Sequence, residues 1–317
     1  MKKILILGMI LAMAVCGLVS ATAAEETEYR IVTTIFPIYD WTREVALGND
    51  HAQITLLLDN GTDLHSYQPT AADILKIASC DVFIYVGGES DKWVEEALRE
   101  AINPNRRIIS LVEALGEDVR TEETVEGMEH EQDEQDGEDE ADEHVWLSLR
   151  NAQKLVHVIA EALGKADPAC AESYQANAAA YSKKLAELDQ EYCQMVAEAD
   201  FHTILFGDRF PFRYLADDYH LRYYAAFSGC SAETEASFQT IVFLARKIDE
   251  LKLPAVLTME GANHHIAETI IGATMSKDQK LLTMNSMQGC TLRDAQAGVT
   301  YLSIMQENLE KLKLALH

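Results

Sequence analysis

The stretch after Asp167 constrains the fold most, because after Pro168 no glycine or proline occurs until Gly207. Apolar side chains recur there at alternate spacings of four and three residues, which places them on one face of a helix. This stripe consists of Tyr174, Ala178, Tyr181, Leu185, Leu188, Tyr192, Met195 and Ala199. We therefore predict one linking helix over 167–199, with Asp167 as N-cap and Pro168 in its first position. A helix of about 30 residues spans about 45 Å.

Short strand-like runs alternate with helix-like runs on both sides of this helix. Strands are predicted at Arg30–Thr34, Gln53–Leu58, Asp81–Val86, Arg107–Leu111, His202–Phe206, Leu221–Ala226, Ala255–Met259 and Lys280–Met284. Strands separated by helices form parallel βαβ units. The predicted fold class is α/β, with two Rossmann-like lobes, 26–166 and 200–317, joined by one long rigid α-helix. Intramolecular packing of a monomer is favoured over a coiled-coil dimer seam, and the last predicted helix covers 294–315.

The N-terminus has the pattern of an export signal. Two lysines precede the apolar run Ile4–Val19, which is short for a membrane-spanning helix. Residues 1–23 are therefore predicted to be a signal peptide, cleaved after the A-x-A site at Ala21–Ala23. The alternative is lipidation at Cys16, which follows an imperfect lipoprotein box. The mature protein is expected in the periplasm or lipid-anchored on the extracytoplasmic face of the membrane.

Charge excludes some partners and singles out one segment. The net charge of −26 argues against binding to nucleic acid or anionic membrane surfaces. Residues 117–143 carry 15 Asp and Glu against one Arg, and we predict a disordered acidic insert there. The segment is either a plain solvated loop or a low-affinity collector of cations, with His130 between Glu129 and Glu131.

The cysteines predict one disulfide and no zinc finger. Five remain after Cys16, an odd number for an exported chain, and Cys230 and Cys290 are the best candidates for a bridge because both fall in predicted loops. No CxxC pair is present, which argues against a thiolate zinc finger. No nucleotide-binding loop or HExxH motif occurs either.

Three side chains stand where ligands bind in open α/β sheets, beyond the carboxyl ends of strands. His65 follows a predicted strand through a polar loop, His144 precedes the apolar turn Val145–Leu147, and Asp208 follows a strand of the second lobe. If the lobes face each other, two imidazoles and a carboxylate converge in the cleft. Such a set suits Zn²⁺, Mn²⁺ or Fe²⁺.

The motifs around these residues resemble a known family. The runs Thr33–Trp41, Gly61–Thr70 and Glu143–Leu147 are similar to those of the ZnuA/TroA-like substrate-binding proteins of zinc and manganese ABC importers. The resemblance covers nearly the whole mature chain. It implies two α/β lobes, one bridging helix and a metal ion held between the lobes for delivery to a membrane permease.

The resemblance also implies a ligand set. His65 and His144 match the family's first two ligands, and Asp208 is the only acceptor in the stretch that holds the third. The fourth position lacks a carboxylate here, so Gln288 is a weak candidate and Glu260 an outside one. Zn²⁺ is expected as the transported substrate, with Mn²⁺ or Fe²⁺ as alternatives. A metallohydrolase and a metal-stabilised adhesin are the rival functions.

Overall fold

The computed structural model describes residues 28–129, 140–231, 235–261 and 263–317. In this part of the chain, eight strands form two separate four-stranded sheets, and every strand pair within them is parallel. The predicted α/β class with two parallel-sheet lobes is confirmed. The predicted signal peptide 1–23, Cys16, His130 and Glu131 lie outside the described residues.

The first lobe has the strand order β2-β1-β3-β4. Its strands are β1 Tyr29–Thr33, β2 Ala52–Leu56, β3 Val82–Tyr85 and β4 Arg107–Ser110. Its helices are α1 Phe36–Val45, α2 Ala71–Ser79, α3 Trp93–Ala97, α4 Leu111–Leu115 and α5 Leu149–Ala166. Helix α2 begins at a capping box, in which Thr70 and Asp73 satisfy each other's backbone N–H groups. Since β2 and β3 both pair in parallel with β1, the loops that follow them begin at the same edge of the sheet.

The second lobe repeats this order as β6-β5-β7-β8. Its strands are β5 Thr203–Phe210, β6 Arg222–Ser228, β7 Ala255–Met259 and β8 Lys280–Met284. Its helices are α7 Arg213–Asp218, α8 Phe238–Leu251, α9 His265–Ala273, α10 Leu292–Gln296 and α11 Tyr301–Leu316, where α6 is the linking helix between the lobes. The predicted single helix over 294–315 is wrong, because Gly298 takes a φ of +93° and Thr300 caps a new helix.

The linking helix α6 covers Ala171–Glu198, and the predicted stripe is buried along it as far as Met195. Its start is later than predicted, because Pro168–Cys170 form a 3₁₀ turn and Asp167 makes no cap hydrogen bond. The Asp167 carboxylate instead accepts hydrogen bonds from the Tyr174 hydroxyl at 2.9 Å and the Asn49 amide at 3.1 Å. Asp167 therefore ties α6 to the first lobe.

The prediction of a disordered insert over 117–143 is wrong at both ends of the segment. Thr121 and Ala141 form an antiparallel bridge, and Asp142 and Glu143 are only 3% and 1% exposed. The hydroxyl of Tyr214 accepts a hydrogen bond from the Arg120 N–H and donates one to the Asp142 carbonyl, so the second lobe holds this segment in place. Backbone pairing and burial thus outweigh the acidic composition there.

Within the described residues, no helix is both long enough and apolar enough to cross a membrane. Both lobes share one continuous apolar core that runs along α6. Trp146 of the first lobe donates its indole N–H to the Ser286 carbonyl of the second lobe at 2.8 Å. The residues just before Trp146 therefore lie at the junction of the two lobes.

Candidate metal centre

His65 is positioned by a short 3₁₀ turn, Leu64–Ser66, in the loop after β2. Asp63 caps this turn and accepts a hydrogen bond from the His65 backbone N–H at 3.0 Å. The Nδ1 atom of the His65 ring lies 2.7 Å from the Ser90 hydroxyl of the loop after β3. This contact leaves the Nε2 atom directed at the junction between the lobes.

His144 is completely buried and is oriented by Asp142. One carboxylate oxygen of Asp142 accepts the His144 backbone N–H at 2.9 Å and lies 2.8 Å from ring Nδ1. The turn Val145–Leu147, whose three side chains are fully buried, anchors the backbone next to the ring. A carboxylate on one ring nitrogen fixes the orientation of a histidine and leaves the other nitrogen available to a metal.

The two imidazoles meet through their Nε2 atoms, which are 3.2 Å apart. Two nitrogens bound to Zn²⁺ at about 2.0–2.1 Å in tetrahedral geometry would lie about 3.3–3.4 Å apart. The pair therefore has nearly the separation that a shared ion requires. In the described part of the chain, one group of three residues has ligand atoms within 4.8 Å of one another: His65, His144 and Cys230.

The two rings differ in proton affinity. Burial, followed by the neighbouring His144, lowers the pKa of His65 to about 4. Burial also opposes the charged form of His144, but the charge and hydrogen bond of Asp142 outweigh it and raise the pKa of His144. In the metal-free protein the His144 Nε2–H can therefore donate to the bare Nε2 of His65.

Gln288, the weak candidate, does lie beside the histidines. With its amide oxygen 3.1 Å from His144 Nε2, the amide nitrogen donates to both carboxylate oxygens of Asp63 at 2.9 and 2.7 Å. In the opposite orientation the amide oxygen of Gln288 would face the carboxylate oxygens of Asp63, so we assign the orientation with the nitrogen toward Asp63. Arg209 also contacts Asp63, at 2.6 Å. Burial opposes the Asp63 carboxylate, but the hydrogen bond and charge of Arg209 lower the pKa of Asp63.

Asp208 and Glu260 are not brought into the group of three. Strand β5 was predicted to end at Phe206, but it continues through a register shift between Phe206 and Arg209. The Asp208 carboxylate accepts the backbone N–H groups of Arg209 at 2.8 Å and Met259 at 3.2 Å. The Glu260 carboxylate accepts the Ser286 N–H and hydroxyl, both at 2.7 Å, and burial raises the pKa of Glu260. Both residues line a cleft of about 920 Å³ that also contains Asp63 and Gln288.

The predicted Cys230–Cys290 disulfide is wrong for this structure, because both cysteines are free. The Cys230 thiol lies with the histidines, whereas the buried Cys290 faces Asn285, 4.0 Å from the amide oxygen. Burial, and then the charge of Glu122, raises the pKa of the Cys230 thiol. The sequence analysis considered Cys230 for a disulfide and did not place it beside the histidines. The Gly229–Cys230 pair was a signal, since a glycine lets the backbone approach a neighbouring ring closely.

Comparison with known proteins identifies the family. The sequence matches the family described as zinc-uptake complex component A, periplasmic, over residues 31–315. The chain belongs to this family. The resemblance stated from the motifs is thereby confirmed, and it covers both lobes and the linking helix.

Relatives of the family come from several bacteria. The zinc-binding lipoprotein AdcA of Streptococcus pneumoniae is 32% identical over 99% of this chain and 61% of its own length. The high-affinity zinc uptake system protein ZnuA of Bacillus subtilis is 30% identical over 96% of this chain and 93% of its own length. AdcA proteins of Streptococcus pyogenes are matched over 56% of their length, so this chain spans little more than half of them.

Solved structures of the family have the same architecture. The Zn(II)-bound ZnuA-like domain of Streptococcus pneumoniae AdcA superposes with a TM-score of 0.71 at 30% identity. The match covers 91% of this chain and 99% of that domain. The Bacillus subtilis metal-dependent lipoprotein YcdH superposes with a TM-score of 0.74 at 26% identity, over 91% and 99% of the two chains.

Proposed function

We propose that this chain is an extracytoplasmic binding protein that captures a divalent transition metal, zinc first among them, for an ABC importer. The observation that carries the proposal is the pair of imidazole Nε2 atoms 3.2 Å apart at the junction of two lobes. Family membership and the zinc-binding relatives support the same function. Manganese or iron remains the alternative substrate.

Binding would proceed by exchange of a proton for the ion. The proton that the two Nε2 atoms share would leave His144, and the metal would take its place between the two nitrogens. Asp142 and Ser90 would keep the rings in position from behind, since each already contacts an Nδ1 atom. No bond in a substrate is broken, which distinguishes this function from that of a metallohydrolase.

The partner would be the membrane permease of the importer. A lipoprotein relative supports an anchor at Cys16, and cleavage near Ala23 with a periplasmic location is the alternative. A single acyl chain gives only marginal membrane binding, so an anchored form would carry more than one chain or a second signal. We further propose that the chain acts as a monomer.

The acidic segment would serve as a collector of cations around Glu129, His130 and Glu131. Glu129 is held to the second lobe, because its backbone N–H donates to the Ala226 carbonyl at 3.0 Å. The test is a deletion of residues 130–139. It leaves Asp142 in place, because this buried carboxylate orients His144. We expect this deletion to slow zinc capture while the tight site keeps its affinity. An unchanged capture rate would identify a plain solvated loop.

The function is tested with His65→Ala and His144→Ala, with the exposed His202→Ala as matched control. We expect competition titrations to show tight, reversible zinc binding in the wild type and the control, and none in the two site variants. Circular dichroism should show that all four proteins are folded. Tight zinc binding by both site variants would contradict the proposal. Unfolding on chelation would point to the adhesin alternative, and turnover of an ester or peptide to an enzyme.

A further inference from the structure

One thiol lies beside the histidine pair. Cys230 Sγ and the ligand nitrogens of His65 and His144 all fall within 4.8 Å of one another. We propose that the Cys230 thiolate is the third protein ligand of the captured ion, so that the site is a His₂Cys set. This inference rests on the proposed function and specifies the chemistry of the same site.

The distances agree with a shared ion after a small movement. With Zn–N at about 2.0–2.1 Å and Zn–S at about 2.3 Å, tetrahedral geometry places nitrogen and sulfur about 3.6 Å apart. Since the ligand atoms lie within 4.8 Å of one another, the thiol has to move by at most about 1.2 Å toward the imidazoles. The nitrogen pair is already at 3.2 Å and needs almost no change.

The backbone next to Cys230 packs closely against the His144 ring. A Cβ atom on Gly229 would lie 3.0 Å from His144 Cε1 and 3.0 Å from the Phe210 carbonyl, so only glycine fits comfortably there. The Cys230 backbone N–H donates to the Glu122 carboxylate at 3.1 Å. The strand end before Gly229 and the segment around Glu122 thus hold the thiol next to the His144 ring.

The rival for the third position is the Asp208 carboxylate. Its two oxygens are already engaged by backbone N–H groups of Arg209 and Met259, on the walls of the cleft. The Asp208 carboxylate would have to give up both contacts to reach the ion, whereas the thiol, which forms no disulfide, would give up one hydrogen bond to Glu122. Geometry and availability therefore both favour Cys230.

Coordination by the thiol needs no oxidant. The S–H bond breaks, the sulfur electron pair forms the bond to the metal, and one proton leaves to solvent. Thiolate is a soft ligand that suits Zn²⁺, whereas Mn²⁺ prefers carboxylate, carbonyl and water oxygens. The captured substrate class is consequently zinc and similar thiophilic cations, with Mn²⁺ disfavoured.

The test uses Co²⁺ and Zn²⁺ with the full mature chain and three proteins: wild type, Cys230→Ser and the matched control Cys290→Ser. We expect a near-ultraviolet thiolate-to-cobalt charge-transfer band in the wild type and in Cys290→Ser, and none in Cys230→Ser. Zinc affinity of Cys230→Ser should fall by at least about 100-fold, because an outer-shell change alone costs 10–100-fold. Zinc binding to Cys230→Ser should also release about one proton fewer than zinc binding to the wild type.

The outcomes separate this inference from the function on which it rests. A wild type that binds no zinc overturns both. A wild type that binds zinc through His65 and His144 but shows no charge-transfer band overturns only the role of Cys230. A charge-transfer band that persists in Cys230→Ser would also overturn only the role of Cys230. If zinc affinity falls in Asp208→Asn and not in Cys230→Ser, the third position belongs to Asp208. Thermal melting checks the folding of each variant, with Cys230→Ala replacing the serine variant if that one unfolds.

Discussion

At the scale of single residues, Asp142 is what makes the two imidazoles unequal. Its carboxylate contacts the backbone N–H and Nδ1 of His144 and raises the pKa of that ring, while the pKa of His65 is lowered to about 4. A proton on His144 Nε2 can then be donated to His65 Nε2, which lies 3.2 Å away. A pair in this state keeps its geometry without metal, because a hydrogen bond replaces the ion.

We expect Asp142→Asn to weaken zinc binding by about 10–100-fold, since removal of the carboxylate lowers the basicity of the liganding ring. Competition titration at neutral pH measures the effect. The matched control is Asp118→Asn in the same acidic segment, whose carboxylate pairs with the exposed Lys154. Equal affinities of the two variants would show that Asp142 does not act on the metal through His144.

Motifs in the sequence singled out the two histidines, which the structure brings together, but not the residues that surround them. His65 and His144 each sit in a short local pattern, and the structure places their rings in contact. Cys230 reaches the pair through the packing of the second lobe, and the neighbouring Gly229 is a weak local signal of this close approach. Asp208 lies outside the group of three, and strand β5 continues past it through a register shift instead of ending before it as predicted.

At the scale of elements, the linking helix α6 carries two buried tyrosines, of which one has a hydrogen-bonded hydroxyl and the other does not. Tyr174 donates its hydroxyl to Asp167 at 2.9 Å, and the Asn49 amide donates to the same hydroxyl. The Tyr181 hydroxyl is buried and has no hydrogen-bond partner within the described residues. Both side chains fill the same apolar stripe, so they form a matched pair.

We expect Tyr174→Phe to lower the free energy of unfolding by about 1–2 kcal/mol, because the buried Asp167 carboxylate and the half-buried Asn49 amide each lose one hydrogen-bond partner. Tyr181→Phe should change it by less than about 0.5 kcal/mol or raise it, because no hydrogen bond is lost. Urea unfolding of the metal-free protein measures both. A larger loss in Tyr181→Phe than in Tyr174→Phe would contradict the assigned contacts.

The type and order of the elements could be predicted more reliably than their ends. Periodicity gave the eight strands and the linking helix, because a buried face imposes its spacing on the sequence. The start of α6 was wrong, since Asp167 bonds to Tyr174 instead of capping. The break at Gly298 was missed because a single glycine inside a helical pattern does not by itself end a helix.

At the scale of the whole molecule, a buried carboxylate joins the two lobes. Asp40 of α1 accepts the backbone N–H of Tyr301, the first residue of α11, at 2.8 Å. Burial is the largest influence and raises the pKa of Asp40 from 3.8 to about 6, against the lowering effects of that N–H and of Arg43. The folded protein therefore binds this proton more tightly than the unfolded chain does.

A raised pKa in the folded state stabilises the protein fully below pH 4, and the stabilisation is lost as the pH rises through 6. We expect Asp40→Asn, which keeps the acceptor and loses the charge, to gain about 3 kcal/mol relative to the wild type between pH 3 and 7. Urea unfolding at a series of pH values measures the difference. The exposed Asp50→Asn serves as control and should follow the wild type. A constant difference between Asp40→Asn and the wild type would rule out this linkage.

The lobes are also fastened by buried hydrogen bonds that a hinge motion would have to break. Tyr301 donates its hydroxyl to the Trp146 carbonyl at 2.7 Å, and the Trp146 indole donates to Ser286 at 2.8 Å. On α6, Tyr192 donates to the Met305 carbonyl of α11 at 2.6 Å. Each of these bonds is buried, so opening the lobes would replace it with hydrogen bonds to water and would expose the apolar core that both lobes share.

We therefore expect metal capture to proceed by small movements of loops such as Gly229–Cys230, with α6 acting as a stiff strut about 42 Å long. The mature chain should have a radius of gyration near 19 Å. Small-angle X-ray scattering of metal-free and zinc-loaded protein should differ by less than about 0.5 Å in this quantity, because a loop shift of about 1 Å leaves the mass distribution unchanged. A decrease of 2 Å or more on zinc loading would mean that the lobes close around the ion and that the hydrogen bonds between them do not hold.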